Sequence, residues 1–151
     1  MHLTQIKGNT WVIAASELIP LYRLDEKRGI LLDTGLLEER EELERTLSEA
    51  GLTPARVLCS HAHVDHCANN RYFQEKYGTK IALTFPEAGM CASLLTLKCY
   101  FLTLSPGTVE RESACMVHEP DYFIPPNDGP FTLGGVRFQV VQTPGHSAGH
   151  I

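Results

Sequence analysis

Over the first 33 residues, apolar and polar positions alternate in short runs. Leu3–Lys7 and Thr10–Ala15 are separated by Gly8-Asn9, and Leu18–Leu24 and Gly29–Asp33 by the charged stretch Asp25-Glu26-Lys27-Arg28. Alternation at period two, broken by a two-residue glycine-asparagine connection, predicts a meander of strands. The period then changes. Leu43, Leu47 and Ala50 recur at helical spacing among Glu and Arg, and Gly51 supplies a stop, so Leu37–Ala50 is expected to be a helix. Thr53-Pro54 is expected to break the chain before a buried strand at Arg56–Ser60. Asn69–Tyr77, ending at Gly78, reads as a helix and Lys80–Phe85 as a strand. Strands followed by helix-strand-helix-strand predict α/β layering (α+β in its mixed strand directions), with helices over a sheet.

From Pro86 to Pro130 the pattern loosens. Ala88–Leu104 is apolar and helical at its start, and Pro106-Gly107, Pro120 and Pro125-Pro126 interrupt the remainder of the segment. It carries Tyr100, Phe101, Tyr122 and Phe123, which fit either a wall or lid over a site or an irregular connection with a few core aromatics. Phe131–Leu133 and Val136–Gln142 flank Gly134-Gly135, a second hairpin signal.

Length and composition narrow the class. The 151 residues suffice for one domain, and 43% hydrophobic with 21% charged residues is ordinary for a globular protein. The formal net charge is -5 with no basic stripe, which argues against a nucleic-acid partner. No apolar stretch is long enough to span a bilayer, and Met1-His2-Leu3-Thr4-Gln5 lacks the pattern of a secretion signal. Five cysteines with no C-x-x-C pair favour reduced thiols, hence a cytoplasmic location.

The chemistry concentrates in His61-Ala62-His63-Val64-Asp65-His66, four ligand-type residues in six at the end of a strand. If the chain is extended here, His61, His63 and Asp65 share one side and His66 faces elsewhere. One loop then feeds two adjacent metal positions. Imidazole and carboxylate together suit zinc and similar first-row metals. A second histidine, His146, lies just after a strand on the Pro144-Gly145 turn.

The string His61-Ala62-His63-Val64-Asp65-His66, with Thr143-Pro144-Gly145-His146-Ser147-Ala148-Gly149-His150 further on and Asp33-Thr34-Gly35 before it, resembles the metallo-β-lactamase superfamily. The resemblance implies an αββα sandwich with a metal site at one edge between two sheets. It implies that His61, His63 and His146 bind a first zinc ion, with Mn or Fe as other options, and that Asp65 and His66 begin a second site. It implies a hydrolase in which a hydroxide carried by the metal attacks an ester, thioester or lactone of a small-molecule substrate, with Asp65 orienting that nucleophile. Asp33 is expected either to position the loop or to cap the next helix.

Two departures bear on substrate. Histidine rather than glutamate at position 63 argues against the oxygen-reducing di-iron branch. Cys67-Ala68-Asn69-Asn70 replaces the glycine-rich continuation of thioesterase-like members and weakens a glyoxalase-type assignment. The resemblance also implies that members continue past the position of Ile151, through residues that supply the rest of the second metal site and the whole second sheet, neither of which is expected in this chain. The expectation is therefore a single domain over 1–151 present as its N-terminal half, with an incomplete second site and an exposed sheet face. Such a chain is expected to be a fragment or to pair as a homo-oligomer; the rival reading is a non-catalytic metal-binding assembly module. His118 and His150 are not expected to be ligands, and His118 is expected to be solvated.

Overall fold

A computed structural model describes all residues from 1 to 151. The first hairpin joins β1 (His2–Lys7) to β2 (Thr10–Ala14) and turns at Gly8, whose φ of +55° suits a residue without a Cβ. β3 (Leu18–Arg23) and β4 (Arg28–Leu32) extend the antiparallel meander. A 3₁₀ turn at Leu37–Glu39 leads into α1 (Arg40–Glu49), which returns the chain to β5 (Thr53–Leu58), parallel to β4. The short α2 (Val64–Cys67) and α3 (Asn70–Tyr77) precede β6 (Lys80–Thr84). Three helices, α4 (Phe85–Cys91), α5 (Leu94–Tyr100) and α6 (Pro106–Ser113), precede β7 (Tyr122–Ile124). β8 (Gly129–Leu133) and β9 (Val136–Val140) form a separate hairpin. The main sheet therefore has seven strands in chain order, parallel from β4 to β7.

Strand alternation sorts the apolar side chains onto two faces. Leu31, Val57, Ile81 and Leu83 pack with Leu43, Leu47, Phe73 and Leu97 from the helices in the larger core. Ile30, Leu58, Ala82 and Ile124, one residue out of step, pack with Leu133 and Val140 of the β8–β9 hairpin. Fully burying one such side chain stabilises the fold by about 1.5–3 kcal/mol. The layers are helices, sheet and hairpin. The expected αββα sandwich is thus already begun on its second side: two strands of the second layer lie within this chain, contrary to the expectation that the second sheet is wholly missing.

Two further expectations change. β5 starts at Thr53, before Pro54, because the register shifts beside Pro54 and a strand tolerates proline at such a bulge. The segment 86–130 is largely helical rather than irregular. Pro106 opens a helix instead of interrupting the segment, as Pro86 opens α4, since a proline in the first turn lacks an N–H that would be unpaired anyway. Ser93 Oγ accepts the Thr96 N–H at 3.1 Å and Ser105 Oγ accepts that of Thr108 at 3.2 Å, capping α5 and α6. No helix is long and apolar enough to cross a membrane.

Candidate metal centre

β4 and β5 end side by side, with Leu32 paired to Leu58, and the loops after both strands run to the same edge of the sheet. Asp33 leaves β4 with φ at +68°, a conformation asparagine and aspartate tolerate better than most residues. Its Oδ1 accepts the Ser60 backbone N–H at 2.7 Å. Its Oδ2 accepts the Ser60 hydroxyl at 2.7 Å and His66 Nδ1–H at 2.9 Å. Asp33 therefore positions the histidine loop. It does not cap the next helix, where the Glu39 carboxylate accepts the Leu36 N–H instead.

The chain stays extended through His63 (φ -89°, ψ 158°) and then turns into α2. The extended-strand expectation holds for His61 and His63 and fails beyond them. The helical turn brings His66 back beside His61, with ring centroids 4.1 Å apart, rather than turning it elsewhere.

His61 Nε2 lies 3.1 Å from His63 Nδ1, and His63 Nδ1 lies 3.0 Å from His146 Nε2. One donor atom from each of His61, His63 and His146 falls within 4.8 Å of the other two. The outer nitrogens fix which way the lone pairs point. The Ser60 hydroxyl gives its proton to Asp33, so it accepts from His61 Nδ1–H at 3.0 Å and leaves Nε2 bare. His63 Nε2 lies 3.1 Å from Tyr100 Oη; a proton on that nitrogen leaves Nδ1 bare.

Electrostatics reinforces this arrangement. Burial, aided by the nearby His66 and His63 rings, lowers His61 to about 4. Burial and His146 also lower His63. Both rings are therefore neutral near pH 7, the form that binds metal. The hydrogen bond to Asp33 raises His66. His66 Nε2 lies 3.6 Å from Asp65 Oδ2. His61 Nε2 and His63 Nδ1, left bare in this way, face His146 Nε2, and three imidazole nitrogens so placed fit a zinc ion with one open coordination position; tetrahedral bonds of about 2.0–2.1 Å place such nitrogens roughly 3.3 Å apart. Asp65 and His66 lie beside this cluster and are not among the three residues whose ligand atoms converge.

The second histidine loop is closed by His150, whose Nδ1 is 2.6 Å from Thr143 Oγ1 and whose carbonyl accepts the Thr143 N–H at 2.8 Å. Glu87, in the first turn of α4 and 2% exposed, ties the two loops together. Its Oε2 accepts the Ala62 N–H at 2.8 Å; its Oε1 accepts Ser147 Oγ–H at 2.8 Å and the Gly149 N–H at 2.7 Å. Sequence reasoning does not single out Glu87. Its only local signal, an acid after Pro86, is the ordinary signature of a helix start. His118 is buried rather than solvated: its Nδ1–H donates to the Met116 carbonyl at 2.7 Å, and its Nε2 accepts from Asn70 at 3.2 Å.

This chain is similar to known proteins in sequence and in fold. A family model described as the metallo-beta-lactamase superfamily matches residues 7–151. A hydroxyacylglutathione hydrolase of Mesorhizobium japonicum is 28% identical over 130 residues, 84% of this chain and 39% of that enzyme. Among solved structures, the subclass B3 metallo-β-lactamase BJP-1 of Bradyrhizobium japonicum superposes with a TM-score of 0.76 at 16% identity, over 99% of this chain and 55% of that one. The FEZ-1 metallo-β-lactamase of Legionella gormanii gives 0.78 at 18% identity, over 99% and 56%. The chain thus spans between 39% and 56% of the length of these three proteins. With the fold, the order of the histidine motifs and the match over nearly its whole length, the chain belongs to the metallo-β-lactamase superfamily.

Proposed function

We propose that this chain carries the first metal site of a zinc-dependent hydrolase that cleaves an ester, thioester or lactone bond in a small-molecule substrate. The observation that carries the proposal is the inward convergence of His61 Nε2, His63 Nδ1 and His146 Nε2, with the opposite nitrogens of His61 and His63 engaged by Ser60 and Tyr100. These three residues would hold the ion. Zinc, when bound, supplies Lewis acidity that activates water and polarises the acyl bond under attack.

The protein's own groups do the rest. The relay from His61 Nδ1–H through the Ser60 hydroxyl to Asp33 keeps the proton off Nε2. Asp65, partly exposed at the rim, is the carboxylate available to accept a proton from the attacking water and to orient it. His66 is held by Asp33 with Nε2 facing Asp65, where the pair would contribute two ligands to a second ion. The relationship to a hydroxyacylglutathione hydrolase keeps thioesters among the candidate bonds despite the Cys67-Ala68-Asn69-Asn70 departure.

Elemental analysis of the purified chain tests the reading, together with hydrolysis of a generic thioester and a generic ester. One equivalent of zinc is expected, lost in His61→Ala, His63→Ala and His146→Ala. Asp65→Ala is expected to keep that zinc and lose hydrolysis. Zinc unchanged in all three histidine variants would sink the assignment. Zinc binding by the wild-type chain with hydrolysis of neither substrate would favour the non-catalytic module.

A further inference from the structure

A cleft of about 330 Å³ opens between α4 and α5, directly beside the histidine cluster. Tyr100, whose phenol oxygen meets His63, forms part of its wall, and Ala148 of the second histidine loop forms another part. The cleft is therefore continuous with the place where an acyl bond would lie.

Its lining has a definite chemical bias. Pro86, Met90 and Ala148 supply apolar surface. No Lys or Arg lines it. The only cation of α5, Lys98, donates to the carbonyls of Phe101 and Leu102, at 3.3 and 3.1 Å. The Glu87 and Thr96 side chains in the lining are already committed. Glu87 holds the two loops. The Thr96 hydroxyl lies 3.0 Å from the Met90 carbonyl and 2.8 Å from that of Ser93. A carboxylate or phosphate entering this space would lose hydration and gain no counter-charge from the lining. A hydrocarbon chain would lose nothing by entering.

The geometry points to this cleft as the acyl subsite of the proposed hydrolase, selective for an uncharged, largely apolar acyl group over an anionic one. The inference rests on the hydrolase reading for its use, but the subsite is testable by binding alone. Tyr100 sits at the junction, with its ring on the acyl chain and its hydroxyl on His63.

The test uses two non-hydrolysable probes of similar length, N-methylhexanamide and the mono-N-methylamide of adipic acid, titrated into the full chain by ligand-observed NMR. The neutral amide is expected to bind at least about tenfold more tightly than the anion. Two variants fill the cleft from opposite walls. Gly89 lines it from α4, and a Cβ there meets nothing within 4 Å, so Gly89→Leu starts from open space and adds bulk. Cys99 is exposed on α5, so Cys99→Phe does the same from the other side. Both are expected to weaken the neutral amide about tenfold while zinc content and melting temperature hold. The proposal is overturned if the anion binds as tightly as the amide, if the amide does not bind, or if both folded variants retain its affinity. Zinc content measured on the same samples separates the two readings. Amide binding by a protein that takes up no zinc would refute the hydrolase and leave the selective cleft standing.

Discussion

The Asp33 carboxylate, at the end of β4, accepts His66 Nδ1–H at 2.9 Å across a sequence separation of 33 residues. The same side chain holds Ser60 by its backbone and its hydroxyl, and Ser60 in turn holds His61. One acid thus orients a ligand of the proposed first site and a candidate ligand of the second.

Asp33→Asn tests that linkage. Asparagine tolerates the +68° φ, so the backbone is spared. Its amide nitrogen cannot accept, so a donor from Ser60 or His66 loses its partner. Loss of such an outer partner typically weakens metal binding about 10–100-fold. Competition against a chelating dye is expected to show zinc affinity lowered within that range at the first site. Unchanged affinity would mean that the Asp33–Ser60–His61 relay does not hold His61 in place.

Glu87 links the two histidine loops at a deeper level. In Glu87→Gln one acceptor oxygen becomes a donor facing either the Ala62 N–H or the Ser147 and Gly149 donors. A buried donor left without an acceptor costs about 1–3 kcal/mol, and more where a charge-assisted pair is broken. The expected outcome is a destabilisation of about 2–4 kcal/mol in urea denaturation, accompanied by weaker zinc binding. Wild-type stability in the variant would show that solvent reaches this site.

Gly149 is required by space. A β-carbon there would overlap Thr84 Oγ1, which donates to the Gly149 carbonyl at 2.9 Å. Gly149→Ala is expected to cost about 1–3 kcal/mol, in the range of overpacked sites. Adding Thr84→Ala removes the obstructing hydroxyl, so the double variant should be more stable than the sum of the single effects predicts. Additive losses in a double-mutant cycle would place the strain elsewhere.

Much of this structure is legible in local pattern. The meander, the hairpin turns and the helix ends at Gly51 and Gly78 arise from periodicity and glycine placement. His61, His63 and His146 are legible as a set because the resemblance links two short motifs far apart in the chain, and the fold brings them together. The orientation of His66 is not legible, since a switch from extended chain to a four-residue helix at Val64 leaves no periodic trace. Glu87 and the buried His118 are hidden for a related reason. Each is defined by partners distant in sequence, the farthest of Glu87's at Gly149 and of His118's at Asn70, and no local window contains them. Pro106 misleads because proline interrupts one element and opens the next with the same residue.

The return of the chain to the sheet after α6 depends on Asp121, and this gives a pH-dependent expectation. Asp121 Oδ2 accepts the Ile81 N–H at 2.9 Å and Gln74 Nε2–H at 3.1 Å, and Oδ1 pairs with Lys80 Nζ at 2.8 Å. Burial works upward on this carboxyl, but Lys80, the Ile81 N–H and Gln74 outweigh it and hold it below its ordinary value of 3.8. A carboxyl lowered in the folded state favours folding above its unfolded value, and that contribution is lost as pH falls through the lower folded value. The Asp121 contribution should therefore be complete at neutral pH and fade below about pH 4. Asp121→Asn is expected to lower stability by about 1–2 kcal/mol at pH 7, since hydrogen bonds to a charged acceptor are lost. Urea midpoints measured across pH should show wild type and variant converging at the acid end. Parallel curves down to about pH 2 would mean that the Asp121 charge plays no part in joining β7 to β6.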